Sequence, residues 1–288
     1  MDQVLSYYPG CSLHGTASEY DASTRAVCEL LGIRLEELED WNCCGASSAH
    51  AVDHELSVLL PARNIALAAK ADKDLFIPCA ACYGRSKVAQ AAMTEDAGLR
   101  AKFGEAVGME YRDGVAIRSM LDLLADPDVL QRIRAGVKRP LRGLKVACYY
   151  GCLLVRPPKI TGAADYEAPE TMDRVVEALG GTAVPWSYKT DCCGGGLVLG
   201  RPDVVGRLID RLMTRAVEAG AAALVTACPM CQGNLDTRQK DAAQALGRDY
   251  QLPIFYISEL IGLAMGHPKP EAWWKKHLVD PRPLLGTI

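Results

Sequence analysis

The sequence has 288 residues, 49% of them hydrophobic, which is enough for one large or two modest cores that need no disulfides. Its net charge of -3 and the lack of a stripe of Lys and Arg exclude a nucleic-acid surface or an anionic-membrane surface. The first eight residues show no secretory leader, and no apolar run approaches the roughly 20 residues that span a bilayer. We expect a cytoplasmic protein whose cysteines persist as thiols or metal ligands.

The predicted elements of the first half begin with a short buried strand at 4–8 and an amphipathic helix at 18–31. A helix over 55–70 and a strand at 75–78 follow, and this strand leads directly into a Cys-x-x-Cys pair. Residues 115–142 are predicted to form a helical connector that ends at Arg139-Pro140-Leu141-Arg142-Gly143. We place the domain boundary there, which gives domains 1–142 and 143–288.

The second half shows the same order: a strand at 144–150, a helix at 170–179, a helix at 204–218 and a strand at 223–227 before a second Cys-x-x-Cys pair. Alternation of strands and helices predicts an α/β fold, with a small sheet flanked by helices in each half and ligands at the carboxyl ends of the strands. The tail from residue 267 carries Trp273 and Trp274, and it either docks a partner or packs on its own domain.

A duplication relates the cysteines of the two halves. An offset of 149 residues maps Cys43, Cys44, Cys79 and Cys82 onto Cys192, Cys193, Cys228 and Cys231. Upstream the offset falls to 141, which maps the cysteine of Tyr8-Pro9-Gly10-Cys11 onto Cys152. The second half has therefore gained eight residues, which we place in the Pro- and Gly-rich segment 156–166. We expect this loop to help shape a site.

Two of the twelve cysteines, Cys28 and Cys148, have no partner in the other half. Cys28 lies among apolar residues of a predicted helix, where a thiol behaves as a small buried hydrophobe. We expect structural roles for both. The other ten form two sets of five.

Five thiols in each half exceed the four ligands of a structural zinc ion, and adjacent cysteines can ligate different metal atoms of one cluster. A polynuclear iron–sulfur centre in each half is therefore the favoured interpretation, with two zinc sites as the alternative. Gly45 and the glycines at 194–196 would let backbone N–H groups approach such a cluster. A dinucleotide loop is excluded at 194–200 because the G-x-G-x-x-G spacing fails.

The order of a lone cysteine, thirty-odd residues, Cys-Cys-Gly, thirty-odd residues and Cys-x-x-Cys resembles the CCG-domain family. Over almost the whole chain the sequence is most similar to the B-type subunits of heterodisulfide reductase and their bacterial homologues. Besides the cysteines, the resemblance rests on the strings at 139–152, 228–235 and 259–264.

The resemblance implies two noncubane [4Fe-4S] clusters that face each other across a cleft. It also implies a catalytic subunit that reduces a disulfide, or oxidises thiols or sulfur compounds, together with a ferredoxin-like (C-type) subunit and a flavin-containing (A-type) subunit. The implied ligands are Cys11, Cys43, Cys44, Cys79 and Cys82 for one cluster, and Cys152, Cys192, Cys193, Cys228 and Cys231 for the other.

The sequence departs from the methanogen pattern at Leu153, where those members carry a histidine near the substrate. By sequence proximity, His14 and His50 are candidate proton donors, and Tyr149 and Lys189 are weaker ones. The competing hypothesis is an electron-transfer subunit of a succinate or fumarate oxidoreductase-like complex that works with a flavoprotein dehydrogenase and a quinone. In either case the chain is expected to reach the inner face of the membrane only through partners.

Overall fold

The computed structural model describes residues 3–46 and 48–287 of the chain. The first half contains four strands and eight helices within this described part. In chain order they are β1 (Gln3–Tyr7), α1 (Gly10–His14), α2 (Ser18–Leu30), β2 (Ile33–Glu37), α3 (Ala49–Val52), α4 (His54–Lys70), β3 (Leu75–Phe76), α5 (Ala80–Glu95), α6 (Ala97–Val107), β4 (Ile117–Arg118), α7 (Met120–Leu124) and α8 (Pro127–Gly136).

The second half repeats this order of strands, with two short 3₁₀ helices at Gly195–Leu197 and Pro270–Lys276. Its elements are β5 (Lys145–Tyr149), α9 (Pro158–Thr161), α10 (Thr171–Ala178), β6 (Thr182–Ala183), α11 (Pro202–Glu218), β7 (Ala223–Thr226), α12 (Pro229–Leu246), β8 (Ile254–Tyr256), α13 (Ile257–Ala264) and α14 (Arg282–Leu285).

Each half is built on a four-stranded, all-parallel sheet. The strand orders are β2-β1-β3-β4 and β6-β5-β7-β8, so the first strand of each half has neighbours on both sides. The central strands are buried on both faces, as covered parallel strands are, and all four residues of β7 are buried. The predicted α/β fold of two tandem repeats is confirmed.

The two halves are joined by reciprocal helix packing. Helix α2 of the first half packs on α13 of the second, and α10, the counterpart of α2, packs on α7 and α8 of the first. In the first of these contacts the rings of Tyr20 and Tyr256 stack with centroids 4.1 Å apart, and the hydroxyls of Ser23 and Ser258 are 2.7 Å apart. The pseudo-symmetry seen in the cysteine spacing therefore extends to the interface between the halves.

The connector differs from the sequence-based expectation of a purely helical segment. It begins with β4, which pairs with β3 and completes the first sheet, before α7 and α8. A two-residue strand carries too little hydrophobic pattern to be recognised without its neighbour.

The tail packs on α13 of the second half and on α2 of the first half. Trp273 and Trp274 are only 5% and 8% exposed, and the Trp273 ring lies over Gly262 of α13. His277 and Glu259, both with fully buried side chains, lie 3.0 Å apart. A docking role for residues 267–288 stays a prediction, and it would have to rely on side chains other than the two tryptophans. In the described parts of the chain, no helix is long and apolar enough to cross a membrane.

The close contact between Gly262 and Trp273 predicts a stability difference between two helical glycines. A Cβ at Gly262 would lie 2.6 Å from the Trp273 ring, whereas a Cβ at Gly206 of α11 meets nothing within 4 Å. We expect Gly262→Ala to destabilise the protein by about 1–3 kcal/mol through overpacking. Gly206→Ala should be neutral, or stabilising by up to about 1 kcal/mol. Urea unfolding of both variants measures this, and equal midpoints would contradict the packing.

Candidate metal centre

The five cysteines of each set meet because parallel strands deliver them to one edge of a sheet. Cys11 follows β1, the Cys43-Cys44 pair follows β2, and the Cys-x-x-Cys pair follows β3. Since β1 lies between β2 and β3, all three connections leave the same carboxyl edge at the point where the strand order reverses. This is where ligands bind in open α/β sheets. The second set follows β5, β6 and β7 in the same way.

Each Cys-x-x-Cys pair occupies the first turn of a long helix. Cys79 and Cys228 are the N-cap residues of α5 and α12, and neither helix has a side-chain cap on its free N–H groups. A helix N-terminus carries partial positive charge and unpaired donors, which favour thiolates and other anions. Hydrogen bonds with the Cys82 thiol and with the N–H groups of Cys82 and Ala81 accordingly lower the pKa of Cys79.

The thiols of each set are in direct contact. The sulfur atoms of Cys44 and Cys82 are 3.2 Å apart, and those of their counterparts Cys193 and Cys231 are 3.8 Å apart. A hydrogen bond with Cys82 lowers the pKa of Cys44 to about 7. The pKa of Cys82 rises well above its usual value through its hydrogen bonds with Cys44 and Cys79 and through burial.

The second set shows the same pattern. A hydrogen bond with Cys152 lowers the pKa of Cys192 to about 6, and one with Cys231 lowers the pKa of Cys193 to about 7. The N–H of Gly194 adds to the lowering of the Cys192 pKa by donating to its sulfur at 3.3 Å. In the first set, the N–H of Gly45 donates to the Cys43 sulfur at 3.4 Å. Thiolates, the form that binds metal, are thus accessible near neutral pH at both sites.

Glycine is required beside each set for a steric reason. Gly10 and Gly151 have φ values of +69° and +67°, and a Cβ on either would lie 2.9 Å from the sulfur of Cys82 or Cys231. Behind them, the buried hydroxyls of Tyr8 and Tyr149 donate to the backbone carbonyl that precedes each Cys-Cys pair, at 2.9 Å and 2.6 Å. These contacts fix the Cys-Cys-Gly turns against the sheet.

Cys28 and Cys148 lie apart from this chemistry. Both are buried in the hydrophobic core, with 1% and 0% exposure. Burial raises the pKa of Cys28 to about 12 and that of Cys148 well above its usual value. Their place in the core is that expected for structural thiols.

The donor set suits a polynuclear centre. Among the described residues, no three His, Cys, Asp or Glu side chains converge closely enough to hold a single metal ion. Each set offers soft sulfur donors beside the uncapped N-terminus of a helix, and a glycine leaves room beside the sulfur of Cys82 or Cys231. Iron–sulfur clusters take thiolate ligands and accept N–H hydrogen bonds to sulfur.

A cleft of about 510 Å³ lies between the two halves and is lined by Cys152 and Cys192 of the second cysteine set. One wall is a face of α5 that carries Ala81, Gly84, Arg85 and Val88, together with Ala46 beside the first Cys-Cys-Gly turn. The facing wall comes from the second half. It contains Cys152, Leu153, Arg156, Pro157, Ile160, Thr161, Cys192, Gly196 and Met230. A wider surface hollow of about 620 Å³ beside β1 and β2 contains none of the ten cysteines.

The insertion predicted from the repeat forms part of the cleft wall. Residues 156–166 contain the short helix α9 in addition to loop, and α9 packs on α5, where the Tyr83 hydroxyl donates to the Thr161 carbonyl at 3.3 Å. Leu153, at 41% exposure, stands at the same wall and approaches Gly84 of the first half. The inserted segment thus borders the cleft between the two halves.

The candidate proton donors are not gathered at this cleft. His14 contacts Glu37 at 2.8 Å and the Trp41 ring, and is not among the described cleft residues. The side chain of His50 lies outside what the structure describes. Lys189 is held by Asp173 at 2.8 Å and by the Pro169 carbonyl at 2.9 Å, and the buried Tyr149 hydroxyl is bound to Asp191. The donor roles of these four residues stay predictions.

Sequence reasoning missed three features of the site. Arg85 and Arg156 line the cleft, and Asn234 donates to the Cys193 carbonyl at 2.8 Å. Asn234 is the repeat counterpart of Arg85 at the offset of 149, so comparison of the halves around the Cys-x-x-Cys pairs could have singled out both. Arg156 lies opposite α5 only because the two halves pack together, and no local sequence pattern indicates this.

Comparison with known proteins agrees with this geometry. The model of the cysteine-rich (CCG) domain family matches twice, at residues 5–85 and 146–236. A Wolinella succinogenes 8-methylmenaquinol:fumarate reductase membrane anchor subunit is 33% identical over 97% of this chain and 98% of that protein. The B-type subunit of a ferredoxin:CoB-CoM heterodisulfide reductase from Methanosarcina mazei is 30% identical over 99% of this chain and 96% of that protein.

A crystal structure of a hypothetical protein from Helicobacter pylori superimposes with a TM-score of 0.77 at 12% identity. The superposition covers 97% of this chain and 52% of the Helicobacter pylori chain. At this low identity, the likeness supports the fold and nothing more. The fold and the paired thiol sets, with the family match, define an oxidoreductase subunit of the iron–sulfur, electron-transfer class. The chain belongs to the cysteine-rich (CCG) domain family, and its predicted resemblance to the B-type subunits of heterodisulfide reductase is confirmed.

The steric role of Gly10 predicts a cluster-specific defect. Gly10→Ala places a Cβ against the Cys82 sulfur, whereas Gly108→Ala tests the same backbone conformation, φ +68°, with nothing within 4 Å. Both changes should lower the free energy of unfolding by about 1 kcal/mol, because alanine is strained at a positive φ. Only Gly10→Ala should lower iron and acid-labile sulfide, by about half if each half holds one cluster. Equal iron contents in the two variants, measured after anaerobic purification, would contradict the role assigned to Gly10.

Proposed function

We propose that this chain is the catalytic subunit of a heterodisulfide-reductase-like complex, in which two noncubane [4Fe-4S] clusters reduce a disulfide or oxidise thiols or sulfur compounds. The proposed ligands are the two sets of five: Cys11, Cys43, Cys44, Cys79 and Cys82, and Cys152, Cys192, Cys193, Cys228 and Cys231. One observation carries the proposal: both sets are complete, and one cleft is lined by Cys152 and Cys192 of the second set and by Ala46 and Ala81, which neighbour the first set in the sequence.

When bound, such clusters would supply iron atoms that exchange one electron at a time and can take thiolate ligands. The chain itself would hold them through thiolates at two helix N-termini. Its cleft is lined mainly by apolar side chains, which exclude water and strengthen electrostatic interactions with a bound substrate. Arg85, whose positive charge helps to lower the pKa of Cys44 after the hydrogen bond with Cys82, would favour anionic sulfur at the first set.

Partner subunits are part of the proposal because relatives of the chain are named as subunits of multisubunit enzymes. We propose a ferredoxin-like (C-type) subunit that passes electrons and a flavin-containing (A-type) subunit that supplies them. In this assignment the chain is cytoplasmic and reaches the inner face of the membrane only through its partners.

A second candidate function is electron transfer in a fumarate-reductase-like complex that interacts with a flavoprotein dehydrogenase and a quinone. The relative from Wolinella succinogenes, 33% identical, carries a fumarate reductase name and favours it. So does the mostly apolar cleft with Leu153 at its wall. The two functions differ in whether a sulfur compound or a quinol is the reactant.

The ligand assignment predicts which cysteines matter. Cys11→Ser and Cys152→Ser should each lower iron and acid-labile sulfide by about half, because each removes one thiolate from one set. Cys28→Ala and Cys148→Ala should keep full iron, since both thiols are buried in the hydrophobic core and have no counterpart in the other half. Iron, zinc and sulfide analysis of the four variants measures this. Full iron in Cys11→Ser and Cys152→Ser would remove these residues from the ligand sets.

The catalytic assignment is tested on the holo-complex with both clusters intact. Given a low-potential electron donor, it should reduce low-molecular-weight disulfides, or oxidise thiols when given an acceptor. The same preparation should show no menaquinol oxidation coupled to fumarate. Quinol turnover without any disulfide or thiol turnover would instead establish the second candidate.

A further inference from the structure

Two buried tyrosine hydroxyls bracket the second Cys-x-x-Cys pair. The Tyr20 hydroxyl donates to the carbonyl of Ala227, the residue directly before the pair, at 3.2 Å. The Tyr256 hydroxyl donates to Oε1 of Gln232, the residue directly after the pair, at 3.3 Å. Both tyrosines and Ala227 are fully buried, so water does not compete for the contact on either side.

The two tyrosines come from different halves of the chain. Tyr20 lies in α2 of the first half, and Tyr256 ends β8 of the second. Their rings stack with centroids 4.1 Å apart and planes 8° apart. A stacked pair in a close-packed interior has little freedom to turn, so each hydroxyl is held on its acceptor. The first half thus supplies a fixed hydrogen bond to the turn that carries the second cysteine set.

Tyr20 also lies near the two cysteines that begin the long helices. Burial, and then the negative charges that Cys228 and Cys79 carry as thiolates, raise the pKa of Tyr20 well above its usual value. Burial and the nearby Glu19 likewise raise the pKa of Tyr256. Both hydroxyls therefore keep their protons at neutral pH and remain hydrogen-bond donors.

The first cysteine set has no equivalent tyrosine pair behind it. The offset of 149 residues places Pro169 at the position of Tyr20. Because β4 pairs with β3 as β8 pairs with β7, the position of Tyr256 is taken by Ser119. The Ser119 hydroxyl donates to Asp122 at 2.8 Å within its own capping box. The two sets have equal numbers of thiols but differ in the hydrogen bonds behind their Cys-x-x-Cys pairs.

The contact with Ala227 acts on the peptide group that joins this residue to Cys228, the N-cap of α12. A hydrogen bond to the carbonyl polarises the peptide group and makes its N–H end more positive. Positive dipoles beside an iron–sulfur centre favour its reduced state, which carries more negative charge, and hydrogen bonding around a cluster sets its reduction potential. The Tyr20 hydroxyl therefore favours reduction of the second centre.

We propose that Tyr20, held by its stack on Tyr256, is a positioning residue through which the first half raises the reduction potential of the iron–sulfur centre in the second half. The inference rests on the proposed cysteine ligands, but it does not depend on which reactant the protein turns over. It gives the two centres unequal potentials although their ligand sets match.

The test is a potentiometric titration of the anaerobic holo-protein followed by electron paramagnetic resonance. Tyr20→Phe keeps the ring and removes the hydroxyl. It should make one-electron reduction of the second centre less favourable by about three- to tenfold, the range that one hydrogen bond contributes. A tenfold change corresponds to about 59 mV. Iron and acid-labile sulfide should equal those of the wild type, because every cysteine remains.

Two cysteine variants assign the shift to one centre. In a Cys11→Ser background, where the first centre is disabled, Tyr20→Phe should lower the potential of the remaining centre. In a Cys152→Ser background, where the second centre is disabled, Tyr20→Phe should leave the remaining potential unchanged. A shift in the Cys152→Ser background would overturn the assignment of Tyr20 to the second centre.

Ser23→Ala is the matched control. Ser23 lies one helical turn from Tyr20, and its buried hydroxyl is 2.7 Å from that of Ser258 in the same contact between the halves. The change removes a buried hydroxyl without touching a cysteine turn. Urea unfolding should show a loss of stability similar to that of Tyr20→Phe, whereas both potentials should equal those of the wild type. The same shift in both variants, or no shift in Tyr20→Phe, would overturn the proposal.

The outcome is separable from that of the proposed function. If Tyr20→Phe shifts the second centre but the holo-complex turns over no disulfide or thiol, the positioning role stands and the catalytic assignment fails. If disulfides are turned over and Tyr20→Phe shifts neither potential, the catalytic assignment stands and the positioning role fails.

Discussion

Ten thiols crowded into two sites, six of them buried, cannot all ionise unless positive charge is brought to them. Within each set, proximity divides the cysteines into those whose pKa falls and those whose pKa rises: hydrogen bonding lowers the pKa of Cys192, while the same contact and burial raise that of Cys152. Like charges in a site of low polarity oppose one another. Metal binding removes this conflict, because a cationic centre lets every thiolate ionise at once.

The fold is arranged around this constraint. Parallel strands bring three connections to one edge, and the long helices that begin at the Cys-x-x-Cys pairs direct their positive ends at the thiols. Glycines with positive φ clear the space beside the sulfurs, and buried tyrosines fix the turns from behind. Reciprocal packing of α2 on α13 and of α10 on α7 and α8 joins the two halves, and a cleft lies between them.

The spacing of the cysteines alone predicted the two sets. A duplicated sequence shows which residues occupy equivalent positions in the two halves, even without any distance between their atoms. The sequence also predicted the central strands β1, β5 and β7, whose apolar runs are long enough to be read. The edge strands were missed for physical reasons. β4 and β6 have two residues each, and β2, Ile-Arg-Leu-Glu-Glu, is largely exposed, so only pairing with a neighbour defines them.

The cleft could be foreseen only in part. The inserted segment was recognised from the change of offset, but that it packs on α5 follows from the arrangement of the two halves, which no local pattern encodes. Arg85 lies one helical turn after Cys82 and resembles any surface arginine in the sequence. Trp273 and Trp274 resembled an exposed docking motif because the space that Gly262 leaves for a ring is visible only in the folded chain.

The central claim is that each half holds one polynuclear iron–sulfur centre on its five cysteines. Mössbauer and electron paramagnetic resonance spectroscopy of the anaerobically purified wild-type protein tests it most directly. The account predicts two four-iron clusters per chain, with spectra unlike those of ordinary cubane clusters and signals that change when a thiol is added. Zinc without iron or acid-labile sulfide, or a single cluster per chain, would contradict it.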